Sequence, residues 1–138
     1  MTYEEARAFL KGYTDLLLVC EETVRRLEEF RERNRGLKAI SSDGMPKPKG
    51  TPRDLSDYVA ELDELESHLT YAVQEYAARA AEVLDAIDAV EDPLLQEVLR
   101  LRYIDGKTLG AVSQCIGYSY PQTLRIHRRA VLAVAEQR

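Results

Sequence analysis

The chain has 138 residues, room for one domain or for a compact domain with a long helical appendage. Hydrophobic residues make up 45% and charged residues 31%, which excludes wholesale disorder, and no apolar run approaches the ~18 residues of a membrane span. The formal net charge of −5 argues against nucleic acid until it is divided along the chain: residues 93–138 hold seven bases and three acids, net +4, and residues 1–92 hold twelve and twenty-one, net −9. Such asymmetry points to a basic C-terminal module behind an acidic N-terminal part. The start, MTYEEARAFLKG, is acidic and amphipathic and does not read as a signal peptide. Cys20 and Cys115 suit neither a disulfide framework nor a metal motif, and each falls on an apolar face where a buried thiol is expected. An intracellular, soluble protein is expected.

The first predicted helix opens at Thr2, whose spacing to Glu5 is that of a capping box. Apolar residues then recur at Tyr3, Ala6, Leu10, Tyr13, Leu17, Cys20, Val24 and Leu27, and the pattern decays before Gly36. Phe9, Leu16 and Phe30 widen the stripe beyond what a two-stranded coiled coil requires.

Residues 36–51 contain three glycines, Pro46 and Pro48 and form a break. They read as a solvated linker or, through Lys47, Lys49 and Arg53, as a contact to a DNA backbone or partner. A second long helix starts at Thr51-Pro52 and runs to about residue 90. Its seam includes Leu55, Tyr58, Leu62, Leu65, Leu69, Ala72, Tyr76 and Val83, and Val59, Val73, Ala80 and Ile87 widen it. Two long amphipathic helices joined by a loop predict an antiparallel hairpin, and the excess apolar width predicts burial against a second chain.

Asp92-Pro93 caps a further helix that ends at Asp105-Gly106. Leu109, Val112 and Ile116 then line a short helix that Gly117 can stop in the left-handed conformation. Ser119 and Gln122 have capping-box spacing, and Thr123, Ile126, Ala130 and Val134 give the next helix its inner face. The two helices with their short turn satisfy the requirements of a helix-turn-helix. The expected chain is therefore all-α: a long antiparallel helical hairpin over 1–91, serving oligomerisation, followed by a helix-turn-helix DNA-binding domain over 92–138.

In a recognition helix starting at Ser119, Tyr120, Gln122 and Arg125 are the exposed early positions. Gln122 could pair with adenine and Arg125 with guanine, and Leu124 could touch a thymine methyl or pack. Lys107, Thr108, Ser119, Arg128 and Arg129 complete the candidate DNA-binding set, with Lys107, Arg128 and Arg129 assigned to phosphates. His127 sits among these arginines and reads either as a phosphate contact or as a solvated or partly packed ring. The carboxylates of the long helices fall between seam positions and read as solvated faces. No P-loop, dinucleotide fingerprint, HExxH or paired CxxC is present, so neither an enzyme nor a cofactor or metal site is expected.

The segment Leu94–Val134, with VLRLRYIDGKTL, the AVSQCIGYS turn and the LRIHRRA helix, resembles region 4 of bacterial sigma-70-type factors. The whole chain is similar to phage late-transcription regulators of the ArpU and RinA kind. That resemblance implies a phage- or prophage-encoded DNA-binding transcription regulator able to contact RNA polymerase; together with the apolar width of the long helices, the expectation is a homodimer on double-stranded DNA, cytoplasmic in a bacterial host. Tyr120, Pro121 and Leu124 stand where sigma factors usually carry charged residues for the −35 element, so that specificity does not transfer. Two rivals share the pattern: a small-terminase-like DNA-packaging adaptor and an RNA polymerase-binding module.

Overall fold

A computed structural model describes residues 1–35 and 51–137, and among these residues every regular element is helical. The elements are α1 (Tyr3–Arg33), α2 (Thr51–Asp88), α3 (Pro93–Leu99), a π-turn over Arg100–Ile104, α4 (Leu109–Ile116) and α5 (Tyr120–Glu136). Residues 36–50, with Lys47 and Lys49 and most of the predicted linker, lie outside the described residues, as does the side chain of Arg53.

The chain forms two compact units. Met1–Leu17 and Tyr76–Arg138 make the first, and Leu18–Glu75 make the second. This differs from a division after residue 91, because the start of α1 and the end of α2 share a core with the C-terminal helices. Ala6, Phe9 and Leu10 of α1 and Val83, Ala86 and Ile87 of α2 are buried together with Val98, Leu99, Val112, Ala130, Val131 and Val134.

Local chemistry fixes the ends of the helices in this unit. Thr2 N donates to Glu5 Oε2 and Glu5 N to Thr2 Oγ1, each at 3.2 Å, so the predicted capping box forms. Asp92 accepts from Leu94 N at 2.9 Å, with Pro93 in the first turn of α3. Gln96 Nε2 donates to the carbonyls of Ile87 and Asp88 at the end of α2, the first of which also accepts from Val90 N. Arg100 closes the same corner on Asp88 at 2.8 Å. Further along α2, the Arg79 guanidinium lies 5.5 Å from the centre of the Phe9 ring. A methyl group at Gly12 would meet that guanidinium, and the flexible Arg79 side chain would have to shift to admit it. Tyr13 and Tyr76 pack edge to face at 5.4 Å.

In the second unit Phe30 stacks on Tyr58 at 5.3 Å, and Arg31 pairs with Glu66 at 3.0 Å. Among its described residues the buried apolar ones are Cys20, Leu27, Phe30 and Ala72, while Leu18, Val19, Val24, Val59 and Val73 are exposed. Arg25 bridges Glu22 at 2.6 Å and Glu29 at 2.7 Å. Its hydrogen bond holds the Glu22 carboxyl below the ordinary carboxylate range. These carboxylates form an ion-paired helix surface. No described helix is long and apolar enough to cross a membrane.

Candidate nucleic-acid interface

The helix pair α4 and α5 is set by three backbone devices. Thr108 caps α4, its Oγ1 accepting from Ala111 N at 3.2 Å. Gly117 ends α4 at φ 77° and ψ 21°, with its N–H bonded to Ser113 O; this is the left-handed region that favours glycine. Ser119 then opens α5 through a complete capping box with Gln122. Gln122 N donates to Ser119 Oγ at 3.3 Å, while Ser119 N and Ser119 Oγ donate to Gln122 Oε1 at 3.1 and 3.0 Å. The Thr123 hydroxyl donates to Ser119 O at 2.9 Å and closes the turn from inside.

The approach to α4 is fixed as well. Asp105 N donates to Arg100 O, five residues back, and Lys107 N donates to Leu101 O. Arg102 Nη1 donates to the Lys107 carbonyl at 2.9 Å. Main chain and side chain thus hold Lys107 at the mouth of α4, its own side chain exposed. The π-turn extends a pattern read from sequence as one uninterrupted helix; a single widened turn leaves apolar spacing almost unchanged.

The inner face of α5 is formed by Thr123, Ile126, His127, Ala130, Val131 and Val134, all buried. His127 is 6% exposed and shares a hydrogen bond of 2.7 Å with the buried Tyr103 hydroxyl. Burial first, then the charges of Arg102 and Arg7, push its pKa down to about 4. Burial likewise pushes Tyr103 up to about 12. This corrects both the phosphate-contact and the solvated readings of His127. Its position, one residue beyond Ile126, falls inside the wide buried arc of α5. Cys115 is a second correction, since it is exposed while Cys20 is buried. Val112 and Ser113 carry the buried edge of α4, which rotates Cys115 outward.

All eight predicted site residues, Lys107, Thr108, Ser119, Tyr120, Gln122, Arg125, Arg128 and Arg129, are exposed. Arg125, Arg128 and Arg129 share the outward face of α5 at helical spacing. They differ in their surroundings. Arg128 lies over the ring of Tyr3, with 4.8 Å from guanidinium carbon to ring centre. Among the described residues, Lys107, Arg125 and Arg129 have no side-chain hydrogen bond or ion pair. Tyr3 and Arg7, at the start of α1, border this region and were invisible from the sequence, because they lie more than 90 positions from the residues they approach. Among the described residues no group of three or more His, Cys, Asp or Glu could hold a metal ion.

No protein-family model matches the chain, and no curated protein or solved structure matches it.

Proposed function

We propose that the chain is a sequence-specific DNA-binding transcription regulator in which α4 and α5 act as a helix-turn-helix. The observation that carries this reading is the capped, glycine-stopped turn between two helices, the second of which turns Arg125 and Arg129 to solvent without partners among the described residues. In such an arrangement the start of the second helix enters the major groove, and later basic residues and the mouth of the first helix meet phosphates. Lys107, Arg128 and Arg129 take the backbone role and Arg125 the base-reading role, with Thr108 and Ser119 at the helix mouths.

The long helices α1 and α2 form the proposed antiparallel hairpin. The exposed Leu18, Val19, Val59 and Val73 support its use in dimerisation. The resemblance to sigma region 4 and to ArpU and RinA regulators supports a phage or prophage origin and RNA polymerase as a further partner. The role is binding and not catalysis; His127 is locked to Tyr103 inside the core and not presented to a cleft.

The test is selection of bound duplexes from a random pool at two salt concentrations, with sedimentation equilibrium on the same protein. An enriched site and a dimer are expected. No binding at low salt refutes the reading, and a large closed ring replaces regulation with DNA packaging.

A further inference from the structure

We infer that α5 reads its operator with the Arg125 guanidinium beside an apolar shelf of Tyr120 and Leu124, while the Gln122 side-chain oxygen is withheld from the bases. The preferred site then contains a guanine with a thymine at the neighbouring step. This inference rests on the DNA-binding reading above and deepens it by naming the class of sequence recognised.

The first support is the accounting of hydrogen bonds at the start of α5. An amide oxygen accepts two bonds, and Gln122 Oε1 already receives Ser119 N and Ser119 Oγ at 3.1 and 3.0 Å. Pairing with adenine needs that oxygen to accept from N6 while the amide nitrogen donates to N7. Gln122 can do so only by giving up at least one of the two cap bonds. The Ser119 hydroxyl is equally committed, since it donates to Gln122 Oε1 and accepts from Gln122 N. The side-chain oxygen of Gln122 and the hydroxyl proton of Ser119 are therefore occupied in building the helix start.

What remains at this end has a different chemistry. Arg125 is exposed with all its donors unused among the described residues, and its planar fork fits the O6 and N7 acceptors of guanine. Tyr120 is 51% and Leu124 41% exposed. They stand one turn apart on the same side of α5, next to Arg125. The thymine C5 methyl is the apolar group on the major-groove edge of the four bases, so it is the complement of this shelf. Arg128 lies further along and is held against Tyr3, which suits it to the backbone.

The test uses the full chain. Sites are selected from random duplexes, and the thymines of the selected site are then replaced by deoxyuridine, which lacks the methyl. A guanine with a thymine at the neighbouring step is expected, and its replacement should weaken the wild type about fourfold, the effect of one buried methyl-sized group. Leu124→Ala, a change at an exposed position checked by thermal melting, should abolish that difference. Arg125→Ala should reduce discrimination at the guanine by about 5- to 150-fold. Gln122→Glu keeps an oxygen for the cap and loses the amide donors; it should weaken all sequences alike and leave the preferred site unchanged. An adenine preference that disappears in Gln122→Glu overturns the inference, as does a site without the adjoining thymine or a wild type insensitive to deoxyuridine. In those cases DNA binding itself stands. Absence of binding at low salt overturns both.

Discussion

Cutting the chain after residue 91 should destroy the fold of the C-terminal segment. The fragment 92–138 keeps α3, α4 and α5 but loses the side chains that α1 and α2 place in the shared core. Phe9, Leu10, Val83, Ile87 and Val90 are each at most 8% exposed there. Full burial of a side chain of this size stabilises by about 1.5–3 kcal/mol, so the five together supply roughly 8–15 kcal/mol, as an upper estimate. That matches the entire stability of a typical domain, about 5–15 kcal/mol. In circular dichroism melts the fragment should show no cooperative transition, whereas the full chain melts cooperatively. Leu10→Ala in the full chain should cost about 2–5 kcal/mol and reduce hydrogen-exchange protection in α5. A fragment that melts at the midpoint of the full chain, or unchanged α5 protection in Leu10→Ala, would refute the shared core.

Other outcomes follow from single residues. His127 is held neutral, with a pKa of about 4 against 6.5 when unfolded, so the unfolded chain binds the extra proton between those values. Stability should be complete above pH 6.5 and fall by about 2 kcal/mol by pH 5, and urea unfolding of His127→Gln should lack that component. Gly117→Ala forces a side chain into φ 77° and should cost about 1–2 kcal/mol and lower DNA affinity, read by melting and by titration. Ser119→Ala removes the cap of α5 and should cost about 0.5–2 kcal/mol in the same melts. If Lys107, Arg125, Arg128 and Arg129 all meet DNA, log affinity against log salt should fall with a slope of about −3 to −4 per protomer, and Arg128→Ala should flatten it by about 1.

Features encoded within four residues were legible in the sequence. The Thr2–Glu5 box, Asp92-Pro93, Gly117 and the Ser119–Gln122 box all stand where capping chemistry put them. The inner face of α5 was legible from its period. Long-range contacts were not. Tyr103 and His127 are 24 positions apart, and nothing in the local pattern pairs them. The reach of α1 into the C-terminal core is less visible still, because an amphipathic stripe states that a face is buried and not against what. Gln122 shows a further limit. One residue type suits both a cap and an adenine contact, and hydrogen-bond geometry is needed to show that the cap already occupies its oxygen.

Charge carries the same lesson at larger scale. Residues 93–138 have a net charge of +4, yet the compact unit that contains them, with Met1–Leu17 and residues 76–92, has ten bases and eleven acids, net −1. Positive potential at an interface then depends on which cations are left without partners. Arg100 is neutralised by Asp88 at 2.8 Å, and Arg102 is turned onto the Lys107 carbonyl. Arg128 keeps its charge but is stacked on Tyr3. Lys107, Arg125 and Arg129 stay exposed and unpaired among the described residues. The acids of the unit that precede α3 are Glu4, Glu5, Asp15, Glu82, Asp85, Asp88, Glu91 and Asp92. At physiological salt, charges beyond about 8 Å are largely screened, so at a DNA surface the unpaired cations of α5 count for more than a net charge summed over the whole unit. A chain with an overall charge of −5 can therefore present a cationic helix face, and the affinity that face supports should be modest and strongly dependent on salt.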